Sequence, residues 1–147
     1  MISFIIPFST NDGNVHLPDW PQTDSGHIIY NTITVIENIN KKIDVKKEII
    51  LVDNTHSFPD IEMPNLKIIK GLQGMKLGAV KSYAEEKNIP IDNFYNQTMW
   101  ASMAFNYGLD FAKYEHVVLQ HNDFFYLNDL LPSLVKRLEK DSLGYIT

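Results

Sequence analysis

A chain of 147 residues with a formal charge of -5 and a pI near 5.4 lacks the clustered Lys and Arg that nucleic-acid phosphates or anionic lipid would demand, so neither partner is expected. Hydrophobic residues at 44% and charged residues at 21% are ordinary for a soluble globular protein, which sets aside disordered and fibrous classes and points to one domain over residues 1–147. There is no cysteine, hence no disulfide framework or thiolate metal site; no apolar run approaches the ~20 residues of a membrane span, and residues 2–8 are too short for a signal segment, so the expected location is cytoplasmic.

In chain order, "ISFIIPF" (2–8) is β-rich and almost wholly apolar, as a central parallel strand buried on both faces should be. Residues 9–25, with Asn, Asp, Gly and Pro, predict a long loop. Ile29, Ile33, Ile36 and Ile39 recur at helical spacing within 26–42, with Asp24 or Ser25 as cap. A second buried strand, 48–52, runs into Asp53, Asn54 and Thr55, and "NLKIIKG" (65–71) predicts a third. A helix is expected over 75–88, stopped by Pro90, and a loop over 93–97. Another helix should run from Gln97 or Thr98 to about Lys113, presenting Met99, Met103, Phe105, Tyr107, Leu109 and Ala112. "HVVLQ" (116–120) is the fourth predicted strand, 127–140 the last helix with Leu130, Leu134 and Leu138 on one face, and "LGYIT" the start of another strand.

Strands alternating with helices predict a Rossmann-like α/β domain with a mostly parallel sheet, whose ligands bind outside the carboxyl ends of the strands. Residues 9–11, 53–55 and 121–123 would share that edge. Asp53, after four apolar residues, suits two roles: accepting a hydrogen bond from a base or ribose, or capping a turn together with Asn54. Neither GxGxxG nor GxxxxGK[ST] is present, which removes the ordinary dinucleotide and P-loop readings. His121 and Asp123 stand two apart, so an extended segment would aim both the same way, and an imidazole with a carboxylate suits Mn²⁺ or Mg²⁺ holding a diphosphate. The other use of that turn is helix capping by Asp123 or Asn128. His16, His27, His56 and His116 show no ligand spacing.

Four pieces in order, "SFIIPFST", "YNTITVIENI", "EIILVDNTHS" and "AFNYGLDFA" running into "VVLQHND", resemble the nucleotide-sugar-binding half of a family-two glycosyltransferase of the GT-A fold, across nearly the whole chain. "HND" stands where that family has its DxD element and is similar to its HQD variant. The resemblance implies a UDP-sugar donor, a hydroxyl acceptor and a divalent ion. It implies that Pro7, Phe8, Ser9 and Thr10 shape the uridine pocket, that Asp53 reads the base with Asn54 beside it, and that Asn106 and its helix border the diphosphate near Asn122. It further implies that Asp123 contacts the metal, with His121 in place of the first Asp. The acceptor half and its catalytic base are expected outside these 147 residues, so no residue here is assigned as base. A sheet lacking that half would expose apolar surface and self-associate. Two rival expectations remain: a non-catalytic binding domain on the same sheet, and a nucleotidyl-type transferase using carboxylates and a metal on a similar edge.

Overall fold

An apolar run buried on both faces belongs inside a parallel sheet, and β1 (Ile2–Phe8) lies there, with neighbours on either side. The computed structural model describes residues 1–10, 25–71, 85–88, 97–129 and 131–141. In chain order the further elements are α1 (Ser25–Lys42), β2 (Lys47–Asp53), β3 (Leu66–Lys70), α2 (Gln97–Leu109), β4 (His116–Leu119) and α3 (Leu131–Asp141). The strands form one four-stranded sheet in the order β3-β2-β1-β4, with every pairing parallel. This is a Rossmann-like α/β arrangement. The expected strand within 143–147, most of the expected helix over 75–88 and most of the loops at 9–25 and 93–97 fall outside the described residues.

Side-chain alternation divides the sheet into two cores. Ile2, Phe4, Ile6 and Phe8 of β1 join Ile49 and Leu51 of β2 on one face, covered by Val35, Ile36 and Ile39 of α1 and by Leu131, Leu134 and Val135 of α3. Ile5, Ile50 and Val52 line the other face under Ala104, Phe105 and Tyr107 of α2. Full burial of an aliphatic side chain of this size is worth about 1.5–3 kcal/mol, so β1 and β2 anchor the fold. Within α1, Thr32 and Thr34 return their hydroxyl protons to the carbonyls of Ile28 and Tyr30, which for buried Thr32 satisfies a hydroxyl shut away from water. Gly108 is where α2 comes closest: a β-carbon there would collide with Ile5 and lie 3.1 Å from Val52 Cγ2. Among the described residues no helix is long and apolar enough to cross a membrane.

Two helix boundaries differ from the sequence-based expectation, each for a tertiary reason. α2 ends at Leu109, four residues before Lys113, in a turn closed by three i→i−3 bonds from Asp110, Phe111 and Ala112. Beyond it the backbone is captured by the sheet: Lys113 N–H donates to buried Glu48 Oε1 at 2.6 Å and Tyr114 N–H to buried Ser3 Oγ at 3.2 Å, while Ser3 donates to the same Glu48 oxygen at 2.6 Å. The last helix starts at Leu131 instead of 127, because Asn38 clamps Tyr126 on both backbone groups, N–H at 2.7 Å and C=O at 3.1 Å. Its cap is neither Asp123 nor Asn128. Asp129 accepts the Leu131 N–H at 3.3 Å and, through its other oxygen, the Asp44 N–H at 2.9 Å. Pro132 occupies the first turn, where its missing N–H leaves no helical bond unmade.

Candidate functional site

The sheet order reverses beside β1. The connection through α1 leads from β1 to β2, whereas the one through α2 leads from β3 across to β4 on the opposite side. The carboxyl ends of β1 and β4 lie side by side at this reversal, with α1 and α3 both covering one face and α2 the other, and the crevice beyond strand ends of this kind is where open α/β sheets bind ligands. One residue ends the pairing there. Gln120 N–H donates to Ile5 C=O at 3.0 Å, and the next bond of a parallel ladder would come from the N–H two residues further along β1, which is Pro7 and has none. β4 leaves the sheet at this level and the crevice opens.

On the β1–β2 side the crevice wall is a set of hydroxyls. Thr55 Oγ1 accepts the Thr10 N–H at 3.0 Å, Thr10 Oγ1 lies 2.9 Å from Ser57 Oγ and 3.3 Å from Thr55 Oγ1, and Thr55 and Ser57 are 2.8 Å apart. The chain leaving β1 is thereby tied to the turn leaving β2. That turn is built on Asp53, whose side chain is wholly inaccessible: Oδ1 accepts Ser57 N–H at 3.2 Å, and Oδ2 accepts Phe58 N–H at 3.0 Å and meets Lys70 Nζ at 3.4 Å. Of the two uses that the sequence left open for Asp53, turn capping is the one its oxygens perform here. Phe58, held by this cap, packs edge-on against Phe8 at 4.8 Å, so Phe8 faces the core and not the crevice. His56 takes a left-handed φ of 54° at the tip and its Nε2 lies 3.0 Å from Gly71 C=O. Buried Asn54 abuts Gly71 so closely that a methyl group there would collide with its side chain. Pro7 is half-buried and Ser9 exposed at the mouth.

On the β4 side the three polar residues of the turn part company. The His121 ring stands edge-on to Phe105 of α2 at 5.8 Å, while Asn122 Nδ2 donates to Thr32 Oγ1 of α1 at 3.2 Å, so the turn straddles the sheet from one helix layer to the other. His121 and Asp123 are both exposed, and Asn106 is exposed next to Phe105. Among the described residues no three His, Asp or Glu side chains converge as a ready-made metal cage. Beneath the turn lies Gln120, 4% exposed, whose Nε2 donates to Phe124 C=O at 3.1 Å and whose Oε1 is buried without a partner. Leu119, Phe124, Phe125 and Leu127 follow one another on this side as exposed large apolar residues.

The structure brings Pro7, Ser9, Thr10, Asn54, His121, Asn122 and Asp123 to one sheet edge, as their positions at strand ends imply, with Asn106 one helix residue from the His121 contact. Sequence reasoning missed Ser57 and Gln120. The signal for Gln120 was present: it shares the inward parity of Val118 at the end of an apolar strand, where a polar side chain needs a purpose. No protein-family model, curated protein or solved structure matches the chain.

Proposed function

We propose that this chain is a nucleotide-sugar-binding domain of the GT-A glycosyltransferase type, taking a UDP-sugar and a divalent ion for glycosyl transfer to an acceptor hydroxyl. The observation that carries the proposal is that the hydroxyl wall (Thr10, Thr55, Ser57) and the His121–Asn122–Asp123 turn stand at the carboxyl ends of neighbouring strands, the first after β1 and β2 and the second after β4. A nucleoside fits the neutral, hydrogen-bonding wall; its diphosphate would then reach the turn. There the exposed Asp123 carboxylate and His121 imidazole stand in one turn, not in an extended segment, and each is a donor type that Mn²⁺ or Mg²⁺ takes, so these two would hold the ion if the turn brings them together, with phosphate oxygens and water supplying the rest of the shell. The ion would supply charge neutralisation of the leaving diphosphate. Asp53 acts as a positioning residue in this scheme: it holds the turn that carries Thr55 and Ser57, and with Thr10 it fixes the width of the wall. Asn122, bonded to α1, holds the turn in place so that its neighbours face outward.

The test is calorimetric titration with UDP, with and without Mn²⁺, on the native chain and on Asp123→Ala. Binding that strengthens at least about tenfold with Mn²⁺, and an Asp123→Ala variant that loses this gain but keeps the metal-free affinity, is the expected pattern. Absence of UDP binding in both conditions would overturn the proposal in favour of a partner-binding domain on the same sheet, while tight binding of a nucleoside triphosphate in preference to UDP would favour a nucleotidyl-type transferase.

A further inference from the structure

Between β4 and α3 the backbone forms no regular element, so its polar groups need side-chain partners. Gln120 Nε2 holds Phe124 C=O at 3.1 Å within the segment, and three further ties bind it to α1 and the residues just after that helix. Asn122 Nδ2 donates to Thr32 Oγ1 at 3.2 Å; Asn38 takes both backbone groups of Tyr126, accepting its N–H at 2.7 Å and donating to its C=O at 3.1 Å; and Asp44 N–H donates to Asp129 Oδ2 at 2.9 Å. The anchors 32, 38 and 44 meet 122, 126 and 129 in the same order. The segment therefore runs alongside α1 toward its carboxyl end. Asn38 alone among these ties makes two bonds, and they admit one amide orientation, because the N–H requires the oxygen and the C=O requires the nitrogen. Both ends of the clamp are rigid: Val35, Ile36 and Ile39 around Asn38 are wholly buried, and the Tyr126 ring stands edge-on to Phe4 of β1 at 6.2 Å.

We infer that Asn38 is a positioning residue for the His121–Asp123 turn: by fixing Tyr126, three residues beyond Asp123, it sets where the two exposed donors stand, an inference that rests on the nucleotide-sugar proposal above. Asn38 touches no ligand in this scheme. The turn needs a hold of this kind, because neither the His121 nor the Asp123 side chain makes a hydrogen bond among the described residues, so the backbone alone sets their place. Two exposed donors gather an ion and a diphosphate well only if they need not be ordered at the moment of binding. The hydroxyl wall of Thr10, Thr55 and Ser57 rests on a different tie, the Asp53 cap after β2. Loosening Asn38 should therefore weaken the metal-dependent part of donor binding and spare the part made at the wall.

The experiment compares the native chain with Asn38→Ala and Asn38→Asp, the second of which keeps an acceptor for Tyr126 N–H and loses the donor to its C=O. UDP is titrated with and without Mn²⁺ at a temperature well below each protein's thermal midpoint, and backbone amide exchange is followed in the ligand-free proteins. In Asn38→Ala, exchange over 122–126 should rise at least about tenfold while that of β1 and β2 holds. Its affinity gain from Mn²⁺ should fall from about tenfold to about threefold or less, with metal-free UDP affinity kept within about twofold, and Asn38→Asp should lose part of the gain. Unchanged exchange at 122–126, a full Mn²⁺ gain, or an equal loss of UDP affinity with and without Mn²⁺ would overturn the inference alone, the last by showing a general structural role. If Asn38→Ala does not fold, Asn38→Asp decides by the same outcomes. A native chain that binds no UDP in either condition would overturn the nucleotide-sugar proposal and this inference together.

Discussion

Replacing Asp53 separates a carboxylate that builds the site from one that merely lines it. Its side chain is inaccessible, and its two oxygens close the turn after β2 by accepting the N–H groups of Ser57 and Phe58 at 3.2 and 3.0 Å. Backbone donors to a charged acceptor are worth about 1.5–3 kcal/mol each, and Asp53→Ala orphans both. The Lys70 ammonium, 57% exposed at 3.4 Å, adds little because solvent screens it. Loss of the cap should therefore cost about 3–5 kcal/mol for Asp53→Ala, and about 2–3 kcal/mol for Asp53→Asn, which keeps one acceptor oxygen but turns an amide NH₂ toward the other N–H. Urea denaturation read by circular dichroism measures both, and the two variants should lose stability in that order with unchanged m-values. The UDP affinity of Asp53→Ala should fall with and without Mn²⁺, because the wall of Thr55 and Ser57 rests on the same turn. A destabilisation below about 1 kcal/mol for Asp53→Ala would refute the cap as the residue's role.

Gly108→Ala should cost about 1–3 kcal/mol by forcing α2 away from Ile5 and Val52, measured by the same denaturation series; a neutral result would mean that the helix seats itself differently. Ser3→Ala should cost about 2–3 kcal/mol, since it strips a donor from the Glu48 carboxylate and an acceptor from Tyr114 N–H, and amide hydrogen exchange should show Tyr114 losing protection first. Burial pushes the Tyr126 phenol up to about 12 from its ordinary 10.0. The folded state thus holds that proton more tightly than the unfolded chain does, so the associated stability is complete below pH 10 and is lost as pH rises toward 12. The full displacement corresponds to about 2.7 kcal/mol, which partial exposure of the ring reduces to about 1 kcal/mol. Comparing the native chain with Tyr126→Phe at pH 9 and pH 11.5 isolates it: the native chain should lose more stability over that interval, and parallel losses would refute the assignment.

What the sequence made legible follows from which forces act locally. β1 and β2 could be read because continuous burial imposes an unbroken apolar run, and α1 because four isoleucines repeat at helical spacing. The true ends of α2 and α3 could not, since they are set by Glu48, Ser3 and Asn38, residues 65, 111 and 88 positions distant along the chain from the backbone groups they hold. The same limit applies to the site. Polar residues at strand ends announced the edge on which they gather, but the spending of both Asp53 oxygens on backbone amides, and the solitary Gln120 carbonyl, depend on the pairing register and on how the turns close. Periodicity carries information about which side a residue faces, not about which partner it finds there.

Pro7 gives the crevice a property that side chains alone could not. Its boundary is set by a missing hydrogen atom on the main chain, so extending the β1–β4 pairing past Gln120 would leave one bond of the ladder unmade, whatever occupies the gap. Most substitutions at that position would return the donor and let β4 advance along β1 at the expense of the opening. The point at which β1 and β4 part is therefore written into covalent structure as well as into packing.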